Sequence, residues 1–361
     1  MIASVSIRNF RALKSADLSL SPFNLVIGPN GSGKSSLIHA LLLLRSLARL
    51  PLRNAGGTEE AREKIADGPE IFWNFTEPHD GLEAVIKCAS DSVCDFLDVT
   101  PLPSGKGQND WAGLRAELSG IRAYVLDHHV LAERSASREG AELRGNGANL
   151  ATVLAALQMH APAEFALLRD ELCRILPEYD DVQWAFAADG TVELSLRLAG
   201  TAGKEGGAGQ LIPAERLSQG TLYLLAMMAL AFDPKPPPIV CIEEVDRGFH
   251  PRLLREVRDV LYRLSHPGAY GLKRAPVQVI ATTHSPYMLD LFGEHPEEVV
   301  LSEKIGAHAY LWRLSERKDL MELIAEGGGL GELWYAGILG GVPQESAQQL
   351  KTGGDAKRDG N

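Results

Sequence analysis

The chain has 361 residues, 45% of them hydrophobic and 23% charged, a balance ordinary for a globular protein that excludes wholesale disorder. Its net charge of −11 repels phosphate, so contact with nucleic acid requires a local basic patch, and no Lys/Arg-rich run supplies an obvious one. The four cysteines (Cys88, Cys94, Cys173 and Cys241) show no C-x-x-C spacing and read as buried free thiols of a reducing compartment.

Residues Ile2 to Leu20 alternate as two short strands around Asn9-Phe10-Arg11. They carry no basic, apolar, cleavable leader, so a cytoplasmic protein is expected. An apolar strand (Phe23, Leu25, Val26, Ile27) then runs into Gly28-Pro29-Asn30-Gly31-Ser32-Gly33-Lys34-Ser35, and an apolar helix continues from Ser36 through Leu44. That is G-x-x-x-x-G-K-[ST] in the strand, loop and helix setting it needs. The glycines let successive backbone N–H groups curl round phosphate oxygens, and the helix N-terminus adds its positive end. Lys34 reaches the β- and γ-phosphates, and Ser35 is placed to ligate Mg²⁺. An accidental match at this composition is on the order of one in a hundred, and the correct setting makes it rarer still.

Pro51 to Asp67 has no firm apolar period and reads as loop or weak helix. The middle region reads as an α+β insertion, with strands at Leu82 to Cys88, Ile121 to Leu126, Val182 to Phe186 and Val192 to Leu198. Its helices fall near Ala148 to Met159 and Pro162 to Leu176, and Gly200 to Gly209 is a flexible return loop. Sustained heptads are lacking, which excludes a long coiled-coil arm. His128-His129 has no companion ligands at metal spacing and reads as structural or surface.

In the last third, Leu217-Ser218-Gln219-Gly220-Thr221 opens an apolar helix, a place where a helix N-terminus addresses an anion, although such a start alone is usually a cap. Ile239 to Ile242 is all apolar, the mark of a central parallel strand, and ends in Glu243-Glu244. An amphipathic helix follows, with apolar residues at 253, 254, 257, 260, 261 and 264. Val277, Val279 and Ile280 form another buried strand, ending in Thr282-Thr283-His284-Ser285-Pro286. The longest apolar run, Leu222 to Phe232, is far short of the ~20 residues that span a bilayer, so no membrane segment is expected. The chain therefore divides into a first lobe with the phosphate loop (1–70), the insertion (71–209), a second lobe (210–341) and a disordered tail (342–361).

Paired acids at a strand end are as often merely solvated, but the C-terminal edge of such strands is where open α/β sheets bind ligands. With a phosphate loop in the same chain, one carboxylate is suited to hold Mg²⁺ and the other to orient and deprotonate a water. A lone histidine is more often structural; His284, between Thr283 and Ser285 at a strand end, is placed to report a γ-phosphate instead.

The order of phosphate loop, Leu-Ser-x-Gly, apolar strand with paired acids and strand with histidine resembles ATP-binding-cassette P-loop ATPases, and within them the RecF/SMC/OLD-like group of AAA-family ATPases. Asn9-Phe10-Arg11, Arg144-Gly145-Asn146-Gly147 with Asn149-Leu150, His250-Pro251 and Gly331-Glu332-Leu333-Trp334 narrow the likeness, which spans nearly the whole chain. The resemblance implies an α/β fold of two lobes, with a central mainly parallel sheet and an α+β insertion. It implies that Asn30, Gly31, Ser32, Gly33, Lys34, Ser35 and Ser36 bind ATP, with Arg11 near the base or phosphates. Ser35 and Glu243 would hold Mg²⁺, Glu244 would be the catalytic base, and His284 the γ-phosphate switch. Ser218 and Gly220 would act on ATP held by a second subunit, with Asp246 in the loop crossing that interface, so the active form is an ATP-sandwiched homodimer. Two departures stand out: Glu243 where relatives more usually carry Asp, and Val245 where they commonly carry Pro. The implied role is an ATPase acting on DNA or an effector protein in DNA repair or anti-phage defence; the alternative is an ATP-gated scaffold or sensor with negligible turnover. The residues given after His284 are fewer than the nuclease domain of OLD enzymes needs, so no cleavage activity is expected from this chain alone.

Overall fold

The N-terminal strands β1 (Ile2–Phe10) and β2 (Leu13–Ser19) form an antiparallel hairpin whose turn holds Asn9 and Arg11 at φ 51° and 54°. β3 (Phe23–Ile27) is buried at every position and leads through the phosphate loop into α1 (Lys34–Arg49). The structure is a computed structural model and describes residues 1–50, 68–90, 96–102, 110–136, 142–202, 209–325 and 328–340. The loop expected at Pro51 to Asp67 and the tail at 342–361 lie outside the described residues.

The chain folds as two units. The first comprises Met1–Ile121, Pro238–Val245 and the described residues from Gln278 onward. Its sheet adds β4 (Glu70–Phe75), β5 (Leu82–Lys87), β6 (Phe96–Pro101), β7 (Ile239–Ile242), β8 (Gln278–Thr283), β9 (Val299–Ile305) and β10 (His308–Arg313). These run in the order β6-β5-β4-β1-β2-β10-β9-β3-β8-β7. The stretch β9-β3-β8-β7 is parallel, whereas β6 through β2 is an antiparallel meander. The apolar strands β3, β7 and β8 sit where a parallel sheet buries both faces. Their register, Ile242 beside Ala281 and Thr283 beside Ile27, brings three C-terminal strand ends to one edge. Phosphate loop, paired acids and His284 are therefore neighbours by topology.

Behind that edge lies a buried polar cluster. Asn24, fully buried in β3, donates to the Ser21 carbonyl at 2.6 Å and accepts from Arg313 Nη2 at 2.9 Å. Arg313 also donates to the Ser19 carbonyl, and burial draws its guanidinium down to about 10. Gln278 closes the group by exchanging bonds with the Ile2 backbone at 3.0 and 2.8 Å. Each of these residues ties one strand to another, which fixes register where purely apolar neighbours permit a slip.

The second unit comprises Arg122–Pro237 and Asp246–Val277. Antiparallel strands Tyr179–Phe186 and Thr191–Leu198 pair along their length, and α2 (Leu150–His160) and α3 (Pro162–Ile175) pack together. The helix α4 (Gln219–Ala231) is buried from Gly220 to Ala231, as an all-round apolar sequence requires, and packs on the amphipathic α5 (Leu254–Ser265).

The units do not follow the lobes read from the sequence. Residues 71–121, expected in the insertion, belong with the first unit because β4, β5 and β6 extend its sheet from the β1 edge. Residues 246–277, expected in the second lobe, belong with the second unit. Cysteine usage also differs: Cys173 and Cys241 are free, but Cys88 is disulfide-bonded, so the reading of four free thiols does not hold for it. Burial pushes the Cys241 thiol up to about 12, which leaves it unreactive. No helix among the described residues is long and apolar enough to cross a membrane.

Candidate nucleotide site

The phosphate loop is a backbone cradle whose conformation is set by its glycines. Gly31 and Gly33 adopt φ 72° and 95°, in the left-handed region that favours glycine. A Cβ on Gly28 would lie 2.4 Å from the Ser302 carbonyl oxygen, so β9 passes too close for any other residue. Ser302, fully buried, holds the loop from below: its hydroxyl bonds the Ser32 carbonyl and lies 2.8 Å from Ser32 Oγ. Lys34 is 8% exposed, and its ammonium donates to the carbonyls of Gly28 and Pro29 at 2.7 and 2.9 Å. The cation is thus anchored at the mouth of the loop.

An open cleft of about 210 Å³ adjoins the loop. It is lined by Asn30 through Ser36, by Glu243 and Glu244 beyond β7, by Thr282 and His284 at the end of β8, and by Ala12. Ser35 Oγ donates to Glu243 Oε2 at 2.7 Å. Glu243 thus touches the loop hydroxyl directly. Glu244 stands at φ 50°, and its N–H donates to Thr282 Oγ1 at 3.0 Å. Thr283 Oγ1 accepts from the Ser285 N–H at 3.0 Å, fixing the turn that carries His284.

These groups fit a magnesium nucleotide. Left-handed glycines open backbone N–H groups to phosphate oxygens, Lys34 adds a point charge, and Ser35 with Glu243 offers the hard oxygen donors that Mg²⁺ takes alongside substrate phosphates. Among the described residues no group of three or more His, Cys, Asp or Glu side chains gathers as a complete metal cage, so phosphate and water oxygens would have to complete the shell.

Of the residues read from sequence, Asn30, Gly31, Ser32, Gly33, Lys34, Ser35, Ser36, Glu243, Glu244 and His284 line one cleft. Arg11 does not line it, although its neighbour Ala12 does; Arg11 sits in the β1–β2 turn, 5.8 Å over the Phe10 ring. Ser218 and Gly220 belong to the second unit. There Ser218 caps α4, accepting from the Thr221 N–H at 3.1 Å, and a Cβ on Gly220 would meet the Gly248 carbonyl at 2.7 Å. Three residues were missed by sequence reasoning: Thr282, Ser302, and Lys304, whose Nζ lies 3.9 Å from where a Gly31 Cβ would be. Ser302 and Lys304 alternate along β9 onto one face, a signal too short to single out without knowing that β9 pairs with β3.

Residues 1–100 match a family described as AAA ATPase domain, and residues 148–290 match one described as AAA domain, putative AbiEii toxin, Type IV TA system. The DNA replication and repair protein RecF of Vibrio vulnificus (strain YJ016) is 50% identical over 44 residues, and RecF of Actinobacillus pleuropneumoniae serotype 5b (strain L20) is 52% identical over 44. Each match spans 12% of this chain and 12% of the relative. Among solved structures, the SMC head domain from Thermotoga maritima covers 86% of this chain and 98% of its own, at 13% identity and TM-score 0.47. A bacterial Atm1-family ABC exporter with ATP bound covers 93% of this chain and 42% of its own, at 12% identity and TM-score 0.40. Two stretches of this chain, residues 1–100 and 148–290, therefore resemble AAA ATPase domains, and 44 residues of it resemble RecF.

Proposed function

We propose that this protein binds and hydrolyses Mg²⁺-ATP, and that two copies close around ATP to work on DNA or on an effector protein. The observation that carries this reading is the convergence of Lys34, Ser35, Glu243, Glu244 and His284 on one cleft from three strand ends. Mg²⁺, when bound by Ser35 and Glu243, would neutralise phosphate charge. Glu244 takes a proton from a water as the water oxygen bonds the γ-phosphorus and the bond to the ADP oxygen breaks. His284 donates to a γ-phosphate oxygen and so distinguishes ATP from ADP. Ser218 and Gly220 present an α4 N-terminus to the ATP of the opposite copy, with Asp246 nearby at the interface. Arg11, in the β1–β2 turn next to the cleft-lining Ala12, would approach the base or phosphates once nucleotide is bound.

Similarity to RecF, a DNA replication and repair protein, supports the repair role, and the defence role draws on the match to a domain described as putative AbiEii toxin, Type IV TA system; a cytoplasmic location is part of the same proposal. A second reading, an ATP-gated scaffold or sensor with negligible turnover, draws on the direct Ser35 to Glu243 bond, which holds the acid against the loop. Steady-state turnover with and without DNA tests the proposal. Turnover that DNA stimulates supports the first reading; tight ATP binding with none supports the scaffold.

A further inference from the structure

We propose that Thr282 is a positioning residue that sets Glu244 for its role as base; this rests on the ATPase reading above. Glu244 occupies the left-handed region at φ 50°, where a residue with a side chain persists only if its surroundings hold it. Thr282 supplies the hold. The Glu244 N–H donates to Thr282 Oγ1 at 3.0 Å, and the next N–H, that of Val245, donates to the Thr282 carbonyl at 2.9 Å. Two successive amides beyond the end of β7 are thus tied to one residue of β8.

Thr282 is 2% exposed and Val245 is fully buried, so water does not compete for these bonds. Thr282 also lines the cleft, two residues before His284. The strand end carrying the phosphate-sensing histidine therefore fixes the backbone of the base as well. Without Oγ1, the Glu244 N–H loses its acceptor, the φ 50° conformer gives way to ordinary negative φ, and the carboxylate leaves its position over the cleft.

Thr282→Val and Thr282→Ser separate hydroxyl from shape. Valine keeps the β-branched volume and the carbonyl bond to Val245 but removes the acceptor; serine keeps the acceptor. Residue-resolved hydrogen exchange at the Glu244 amide is expected to be slow in the wild type and Thr282→Ser, and at least tenfold faster in Thr282→Val. Calorimetric ATP affinity is expected to stay within about twofold in all three. The kcat is expected to fall about 10- to 100-fold in Thr282→Val with KM unchanged, to recover in Thr282→Ser, and to fall no further when Thr282→Val is added to Glu244→Gln. Equal Glu244 exchange in wild type and Thr282→Val overturns the proposal, as does a Thr282→Val kcat within threefold of wild type. Absence of wild-type turnover, with exchange still responding to the hydroxyl, overturns instead the reading of Glu244 as a base, and the positioning role in catalysis falls with it.

Discussion

Ser35 Oγ donates to Glu243 Oε2 at 2.7 Å, joining the phosphate loop to the end of β7 across 208 residues of sequence. A hydroxyl and a carboxylate so placed would supply two corners of the proposed Mg²⁺ shell. Glu243→Gln keeps the shape and an acceptor but removes the charge. Its expected effect is an Mg²⁺ requirement for tight ATP binding that moves about 10- to 100-fold to higher metal concentration, read by calorimetry across an Mg²⁺ series. An unchanged Mg²⁺ series would remove Glu243 from the metal.

Lys34→Ala is expected to weaken ATP binding by at least tenfold, because no backbone donor replaces a point charge at the mouth of the loop. Its fold should persist, since α1 is held by Leu37, Ile38, Leu41 and Leu44, all buried. Calorimetry with ATP, alongside thermal unfolding, checks both halves; full ATP affinity in a folded variant would contradict the assignment.

Arg313→Leu removes the donor to both Asn24 Oδ1 and the Ser19 carbonyl in the cluster behind the phosphate loop. The buried Asn24 Oδ1 then keeps only the Ser21 N–H, at 3.0 Å, and the Ser19 carbonyl loses its guanidinium donor, an expected cost of about 1 to 3 kcal/mol of stability. Denaturant unfolding measures it. A loss below about 0.5 kcal/mol would mean these acceptors find other donors.

His284→Ala is expected to spare ATP binding and lower kcat by one or two orders of magnitude, about what removal of a charge-assisted bond to the transferred group costs. Wild-type kcat in steady-state kinetics would return His284 to a structural role.

Much of the site is legible in the sequence because it is built from short apolar runs that end in polar residues. The strands β3, β7 and β8 announce themselves as buried, and a parallel sheet then leaves their ends no choice but one edge. Long-range pairing is not legible. β9 carries Ser302, Glu303 and Lys304 in its middle, which blurs any period, and only its pairing with β3 shows that Ser302 braces the loop. β4 does alternate, burying Ile71, Trp73 and Phe75, yet nothing local says that it joins β1 and so draws residues 71–121 into the first unit. Buried polar anchors such as Asn24 and Arg313 read as interruptions until their partners, hundreds of residues away, are in place.

The central claim is that ATP, held by Lys34 of one copy and addressed by Ser218 of another, joins two copies. Glu244→Gln preserves shape but leaves water unactivated, so bound ATP should persist and hold the pair together. Ser218→Arg added to it places a bulky cation at the start of α4 and should block closure, while each copy still binds ATP. Light scattering on size-exclusion chromatography in Mg²⁺-ATP measures both. The account predicts a dimer for Glu244→Gln and a monomer for the double variant; two monomers, or one oligomer common to both and independent of ATP, would contradict it.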